Sequence, residues 1–204
     1  MRVDTRWGVG LALAIALGWA TGAAAAGVKL ANKSFEDPDT EADNPYGDLA
    51  AGWGRWGAWI NRESEWKPTK QGKCMIGYHH WEIEDGNTSG IYQDLPGTPA
   101  GAEVTFSVYA SRDKDTNAQW IEMRLEPFNG GETLASKIFP MEMVKKGWDR
   151  LEVTGKSPAE GVRVLVIVKP AEGEDRRGCV KLDDADVDVA GGGTGNSSTL
   201  ARAK

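Results

Sequence analysis

Apolar and polar residues alternate along most of this chain. Glu103 to Ala110 places Val104, Phe106, Val108 and Ala110 on one face and Thr105, Ser107 and Tyr109 on the other. That period of two marks a half-buried strand. Gln119 to Glu126 repeats it with Ile121, Met123 and Leu125 inward, Trp148 to Thr154 with Leu151 and Val153, and Cys179 to Val189 with Val180 and Leu182. Gly161 to Lys169 is apolar on both faces at its centre, as an interior strand is. Weaker strands are expected over Val28–Ala31, Trp53–Ile60, Lys73–His80 and Ser89–Leu95. The stretches DNPYGD, EDGN, PGTPAG, NGG, KKG and EGEDRRG supply the turns between them. No segment carries the helical period convincingly. The pattern predicts an all-β fold, a β-sandwich or jelly roll of about nine to ten antiparallel strands.

Both ends fall outside that pattern. MRVDTR is basic, WGVGLALAIALGWATG is apolar and AAAAG is small, the order of a secretory signal peptide, with cleavage expected after Ala26. The apolar run is shorter than the roughly 20 residues a membrane span needs. The chain is therefore expected to be secreted, with no membrane insertion once the signal is removed. Residues 27–189 form the sandwich domain, and Ala190 to Lys204, rich in Gly, Ser and Thr, a flexible tail. With 204 residues and 40% hydrophobic content, the chain can bury a real core. A net charge of −6 without a basic stripe argues against nucleic acid as a partner.

Two cysteines, Cys74 and Cys179, remain after the signal. Export suggests that they form a disulfide, which would close a loop of roughly 100 residues and contribute about 4–5 kcal/mol. The alternative is two buried free thiols. The only histidines, His79 and His80, are neighbours and point to opposite faces of a strand. A His-based triad or a multi-His zinc site is thereby disfavoured. No G-x-S-x-G and no phosphate-cradling loop occurs. Paired carboxylates are the catalytic route left, and Glu82-Ile83-Glu84-Asp85 runs into a turn. The expectation is that the chain is not an enzyme.

Three phrases stand in order: NKSFED from Asn32, GIYQDLPGTPAGAEVTFSVYASRD from Gly90, and CVKLDDADVDV from Cys179. Together they resemble the carbohydrate-binding modules with a galactose-binding-like jelly roll, of the kind attached to xylanases and glucanases. The likeness runs from about Val28 to Val189. The Glu103–Phe106 stretch and Asp183-Asp184-Ala185 depart from the usual pattern. The resemblance implies a non-catalytic β-sandwich with a structural Ca²⁺ held by Glu36 and one of Asp183 and Asp184. Carboxylates suit that hard cation. The alternative is that Asp183, Asp184, Asp186 and Asp188 form a solvated strand edge.

A sugar packs its C–H faces on aromatic rings and its hydroxyls on planar polar groups. The chain holds nine tryptophans, and Trp53, Trp56, Trp59 and Trp66 lie close together. Trp53 reads as core, whereas Trp56 falls in the other strand phase. Trp120 shares its outward phase with Glu122 and Arg124, and Tyr92 opposes Ile91 and Leu95. The expected ligand-binding set is Trp120, Glu122, Arg124, Tyr92, Trp56 and Trp81, with Trp66 as a further rim residue. The row Trp120, Glu122, Arg124 equally suits an intramolecular ladder or a protein-binding patch. Two functions follow: a secreted domain binding a polysaccharide or glycan, or a structural subunit of an extracellular layer, filament or adhesin that contacts copies of itself or other extracellular proteins.

Overall fold

The structure, a computed structural model, describes residues 27–40, 45–159 and 161–191. The expected signal peptide and residues 192–204 of the expected tail lie outside the described residues. Among the described residues, ten strands form two antiparallel sheets. The first sheet holds β1 (Gly54–Trp56), β4 (Ser89–Leu95), β9 (Val162–Lys169), β6 (Trp120–Pro127) and β7 (Ala135–Pro140), in that order. The second holds β2 (Ile60–Glu63), β3 (Met75–His79), β10 (Cys179–Ala190), β5 (Glu103–Arg112) and β8 (Asp149–Lys156). This is the β-sandwich of jelly-roll type that the alternation predicts.

The inward positions interdigitate between the sheets. Val104, Phe106, Val108, Ile121, Met123, Leu125, Val180 and Leu182 are fully buried in one core cluster. Phe35 seals one end, its ring centroid 5.1 Å from that of Trp53. The NKSFED turn is built locally for this purpose. The Asn32 side chain accepts a hydrogen bond from Asp37 N (3.1 Å) and donates to Asp37 O (2.7 Å). Asn32 and Phe35 both take positive φ, which Asn tolerates and which a large ring adopts only when packing enforces it.

Four features differ from the sequence expectations. Val28–Ala31 forms no strand; Ala31 instead bonds through its backbone to the buried Gln93 side chain. The single strand expected over Trp53–Ile60 is two, β1 and β2, in different sheets. Gly57 (φ 73) and Trp59 (φ 54) turn the chain between them, a change of sheet that apolar content alone does not reveal. β7 was not anticipated, because an outer strand with three exposed positions carries little apolar period. Finally, β10 is the central strand of its sheet and not an edge. A register shift between Asp183 and Asp186, with Asp184 at φ 48, bulges this strand.

The expected disulfide is absent. Cys74 and Cys179 are buried free thiols. The β3–β10 ladder pairs Cys179 with His79 and Leu182 with Ile76, which puts the cysteines at opposite ends of it. Five strand residues separate them, about 17 Å, well beyond the reach of a disulfide. Cys74 Sγ accepts from Arg62 Nη2 (2.9 Å), and Cys179 Sγ–H donates to Asp113 Oδ2 (2.7 Å). Burial pushes the Cys179 thiol pKa up, and the Asp113 carboxylate pushes it further.

Candidate ligand-binding cleft

The registers of the first sheet arrange its outward residues in rows. One row runs Gly54, Tyr92, Leu165, Arg124; the next runs Trp56, Gly90, Ile167, Glu122; Trp120 lies one row further, opposite Lys169. Glycines decide how the rings lie. A Cβ on Gly54 would stand 2.3 Å from the Tyr92 ring, and one on Gly90 would stand 2.2 Å from the Trp56 indole. Tyr92 therefore rests over Gly54 and Trp56 over Gly90, each ring pressed onto bare backbone. The two rings are 6.3 Å apart at an interplanar angle of 35°.

These rings wall a cleft of about 400 Å³ that also takes in Trp120, Arg55, Thr88, Arg124, Glu126 and Arg163. Leu165 and Ile167, which face away from the core, line it as well. That explains why Gly161–Lys169 reads as apolar on both faces. Trp56, Tyr92 and Trp120 are each half-buried, held at one side and open at the other.

The charged groups are fixed by one another. Arg124 Nε and Nη2 each lie 2.8 Å from a Glu122 carboxylate oxygen, and Nη1 reaches Glu126 at 3.3 Å. Glu122 is only 6% exposed; it orients Arg124 from beneath rather than lining the cleft. The hydrogen bonds that Arg124 donates to Glu122 raise its pKa above the usual value, against the opposing effect of burial. Arg163 binds Asp94 through Nε (3.0 Å) and Nη2 (2.7 Å) and lies 4.2 Å over the centre of the Tyr92 ring. Burial works against the Asp94 charge, but bonds from Arg163 and Asn129 N outweigh it and hold the carboxyl below its usual range. Arg55 Nη1 donates to the carbonyls of Tyr46, Gly47 and Ile60. The cleft thus presents planar guanidinium groups already locked in place, which is what oriented hydrogen bonding to hydroxyls requires.

Of the expected set, Trp56, Tyr92, Trp120 and Arg124 come together in the cleft, with Glu122 behind them. Trp81 does not. It is 48% exposed, and its ring meets Trp66 (6.1 Å) and His79 (5.2 Å) of the second sheet. Trp66 packs there too, close above Gly77 of β3. Sequence reasoning missed Arg163, whose outward phase on β9 was available, and missed Gly54 and Gly90, whose role needs the register.

The expected calcium ligands meet a single loop. Glu36 Oε1 accepts from Lys73 N (2.9 Å) and Cys74 N (3.0 Å). Asp183 Oδ2 accepts from Lys70 N (2.8 Å) and Gln71 N (2.9 Å), and Oδ1 from Asp184 N (2.7 Å). Among the described residues no three His, Cys, Asp or Glu side chains cluster as a metal set. Asp183 is fully buried, and burial raises its pKa to about 6 in spite of the three N–H donors. It has no ion pair with a basic side chain among the described residues. Glu36, from the 32–37 turn, and Asp183, from β10, thus reach the 70–74 loop from two sides, and Glu36 Oε1 and both Asp183 oxygens are engaged by backbone N–H groups.

No protein-family model matches the chain, and no curated protein matches it. Solved structures do match in shape. A crystal structure of an apo form cyclase from Fischerella sp. aligns with a TM-score of 0.57 at 15% identity, over 82% of this chain and 99% of that one. TmCBM61, solved in complex with beta-1,4-galactotriose, aligns with a TM-score of 0.52 at 15% identity, over 78% and 96%. The CBM22-1 xylan-binding domain from Paenibacillus barcinonensis Xyn10C aligns at 0.51 and 16% identity, over 78% and 93%. At these identities the likeness establishes the fold: this chain has the sandwich shared by carbohydrate-binding modules and by these cyclases.

Proposed function

We propose that the chain is a secreted, non-catalytic domain that holds a polysaccharide or glycan in the cleft across β4, β9 and β6. The observation that carries this reading is the set of three half-open rings, Trp56, Tyr92 and Trp120, around an apolar lining with prefixed guanidinium groups beside it. Sugar rings stack on the indoles, and Arg124 and Arg163 donate to hydroxyls. Two of the solved structures of like shape are, by their names, a galactotriose complex and a xylan-binding domain. The Fischerella cyclases make an enzyme the competing reading. Against it, both carboxylates beside Arg124 are engaged by that guanidinium, so neither is set up as a proton donor or a nucleophile.

A structural Ca²⁺ belongs to the same proposal. Glu36 and Asp183 would hold it, and its charge would offset that of the buried Asp183 and tie the 32–37 turn to β10. Export by the N-terminal segment is likewise part of the proposal; among the described residues no helix is long and apolar enough to cross a membrane.

Titration calorimetry against soluble β-linked glycans tests the binding. The expected result is saturable binding of at least one glycan, weakened about tenfold or more by Trp120→Ala, with no release of reducing sugar. Binding that Trp120→Ala leaves unchanged, or sugar release that scales with protein, would overturn it.

A further inference from the structure

We propose that the cleft continues past Trp56 into a second subsite, so that the protein grips the interior of a long, uncharged, hydroxyl-rich glycan chain and not a single terminal sugar. This rests on the reading of the cleft as a glycan site and extends it. Beyond β1 lies a larger cavity of about 650 Å³. Trp56 and Thr88 line both cavities, so the two adjoin at these residues.

The second cavity brings two further rings, Tyr46 and Trp59. Their centroids lie 5.7 Å apart in an edge-on arrangement at 63°, and Tyr46 is 38% exposed. The turn Trp56-Gly57-Ala58-Trp59 sets the Trp56 indole against both cavities and that of Trp59 against the second. It is pinned: Ser89 Oγ accepts from Ala58 N (3.2 Å) and donates to Ala58 O (2.8 Å), and Trp59 O accepts from His79 N (2.9 Å). A pinned pair of indoles loses little freedom when a ligand stacks on it.

The remaining wall supplies Glu82, Glu84, Asp85, Asn87 and Thr88, and among the described residues no lysine or arginine lines this cavity. Bonds from Asn87 hold the Asp85 carboxyl below its usual pKa range, so it stays ionised. Acceptors of this kind take hydroxyl donors and repel carboxylate or sulfate substituents. The chemistry therefore selects neutral chain segments at this end.

Calorimetry with β-1,4-galacto- and β-1,4-xylo-oligosaccharides of two, three, four and six units reads the second subsite. The longest member of the series that binds is expected to bind about tenfold tighter than the shortest. Tyr46→Ala and Asn87→Ala should remove that gain and leave the shortest ligand's affinity unchanged, while Trp120→Ala weakens every length. Thermal melting checks that each variant folds. Equal affinity at all lengths, or a length gain that both Tyr46→Ala and Asn87→Ala leave intact, overturns the subsite. Glucuronic acid-substituted xylo-oligosaccharides binding tighter than plain ones overturns the preference for neutral chains. Failure of every oligosaccharide to bind would overturn the glycan reading itself, a result distinct from length-independent binding.

Discussion

The two outer faces of the sandwich began with the same resources and ended differently. On the first sheet, Trp56, Tyr92 and Trp120 stand over glycines and aliphatic side chains, with nothing from the described chain covering the cleft between them. On the second, the segment 64–74 folds back over the strands. Trp66 packs on Gly77, Lys70 Nζ sits 4.2 Å over the Tyr109 ring, and the loop's N–H groups bind Asp183 and Glu36. A glycine beneath an aromatic ring occurs on both faces. On one it makes a platform and on the other it seats a roof. What separates a binding face from a structural one here is the loop that the sheet must satisfy, not its content of tryptophan.

Breaking the roof should have the largest effect on stability. Asp183→Ala removes the buried carboxylate that accepts from the N–H groups of Lys70, Gln71 and Asp184, which should cost about 3 kcal/mol. Chemical denaturation should show this loss, with glycan affinity at the cleft retained. A variant as stable as the parent would mean that the loop is not held this way.

Breaking the platform should cost less stability and more binding. Gly90→Ala puts a Cβ 2.2 Å from Trp56 and 2.6 Å from the backbone oxygen of Val166. The ring must lift and the Val166 carbonyl must give way, together at about 2 kcal/mol, and calorimetry should show glycan affinity falling about tenfold. Normal affinity in Gly90→Ala would show that Trp56 need not lie flat.

Sharpening the roof's chemistry gives two smaller effects. Calcium in excess should raise the melting temperature and a chelator should lower it again, since an ion bound only by the folded chain stabilises by mass action. Indifference to both would remove the ion from the account. In chelator, acidification should act on Asp183 in a defined direction. Its folded pKa, about 6, lies above the value of about 3.9 expected when unfolded. The folded chain therefore takes up a proton first as pH falls from 7 toward 4, and this group adds stability over that window. The buried His80, whose pKa burial lowers, contributes the opposite trend below about pH 6.5. Comparing the parent with Asp183→Asn cancels the histidine: the melting temperature of the parent should gain on the variant as pH falls. A constant gap would contradict it.

Much of this contrast was legible in the sequence, and the rest was not for physical reasons. The period of two along β5, β6 and β10 gave both the fold and the inward residues, because burial on one face enforces alternation. The phase of Trp120, Arg124 and Tyr92 placed them outward for the same reason. Trp81, expected at the rim because it flanks a loop, stands apart from the cleft beside Trp66 and His79, since a loop position does not say which face it borders. The disulfide was expected because two cysteines in an exported chain suggest a pair; the register of β3 against β10, invisible in one dimension, separates them. Glu122 was read as a ligand-binding carboxylate, whereas its burial makes it the support of Arg124.

The most direct test of the central claim follows the indole N–H signals of the tryptophans by NMR during a glycan titration. The account predicts that Trp56 and Trp120 shift on binding while Trp66 and Trp81, on the roofed side, stay in place. Shifts confined to Trp66 and Trp81 would contradict it, because they would put the ligand on the opposite face.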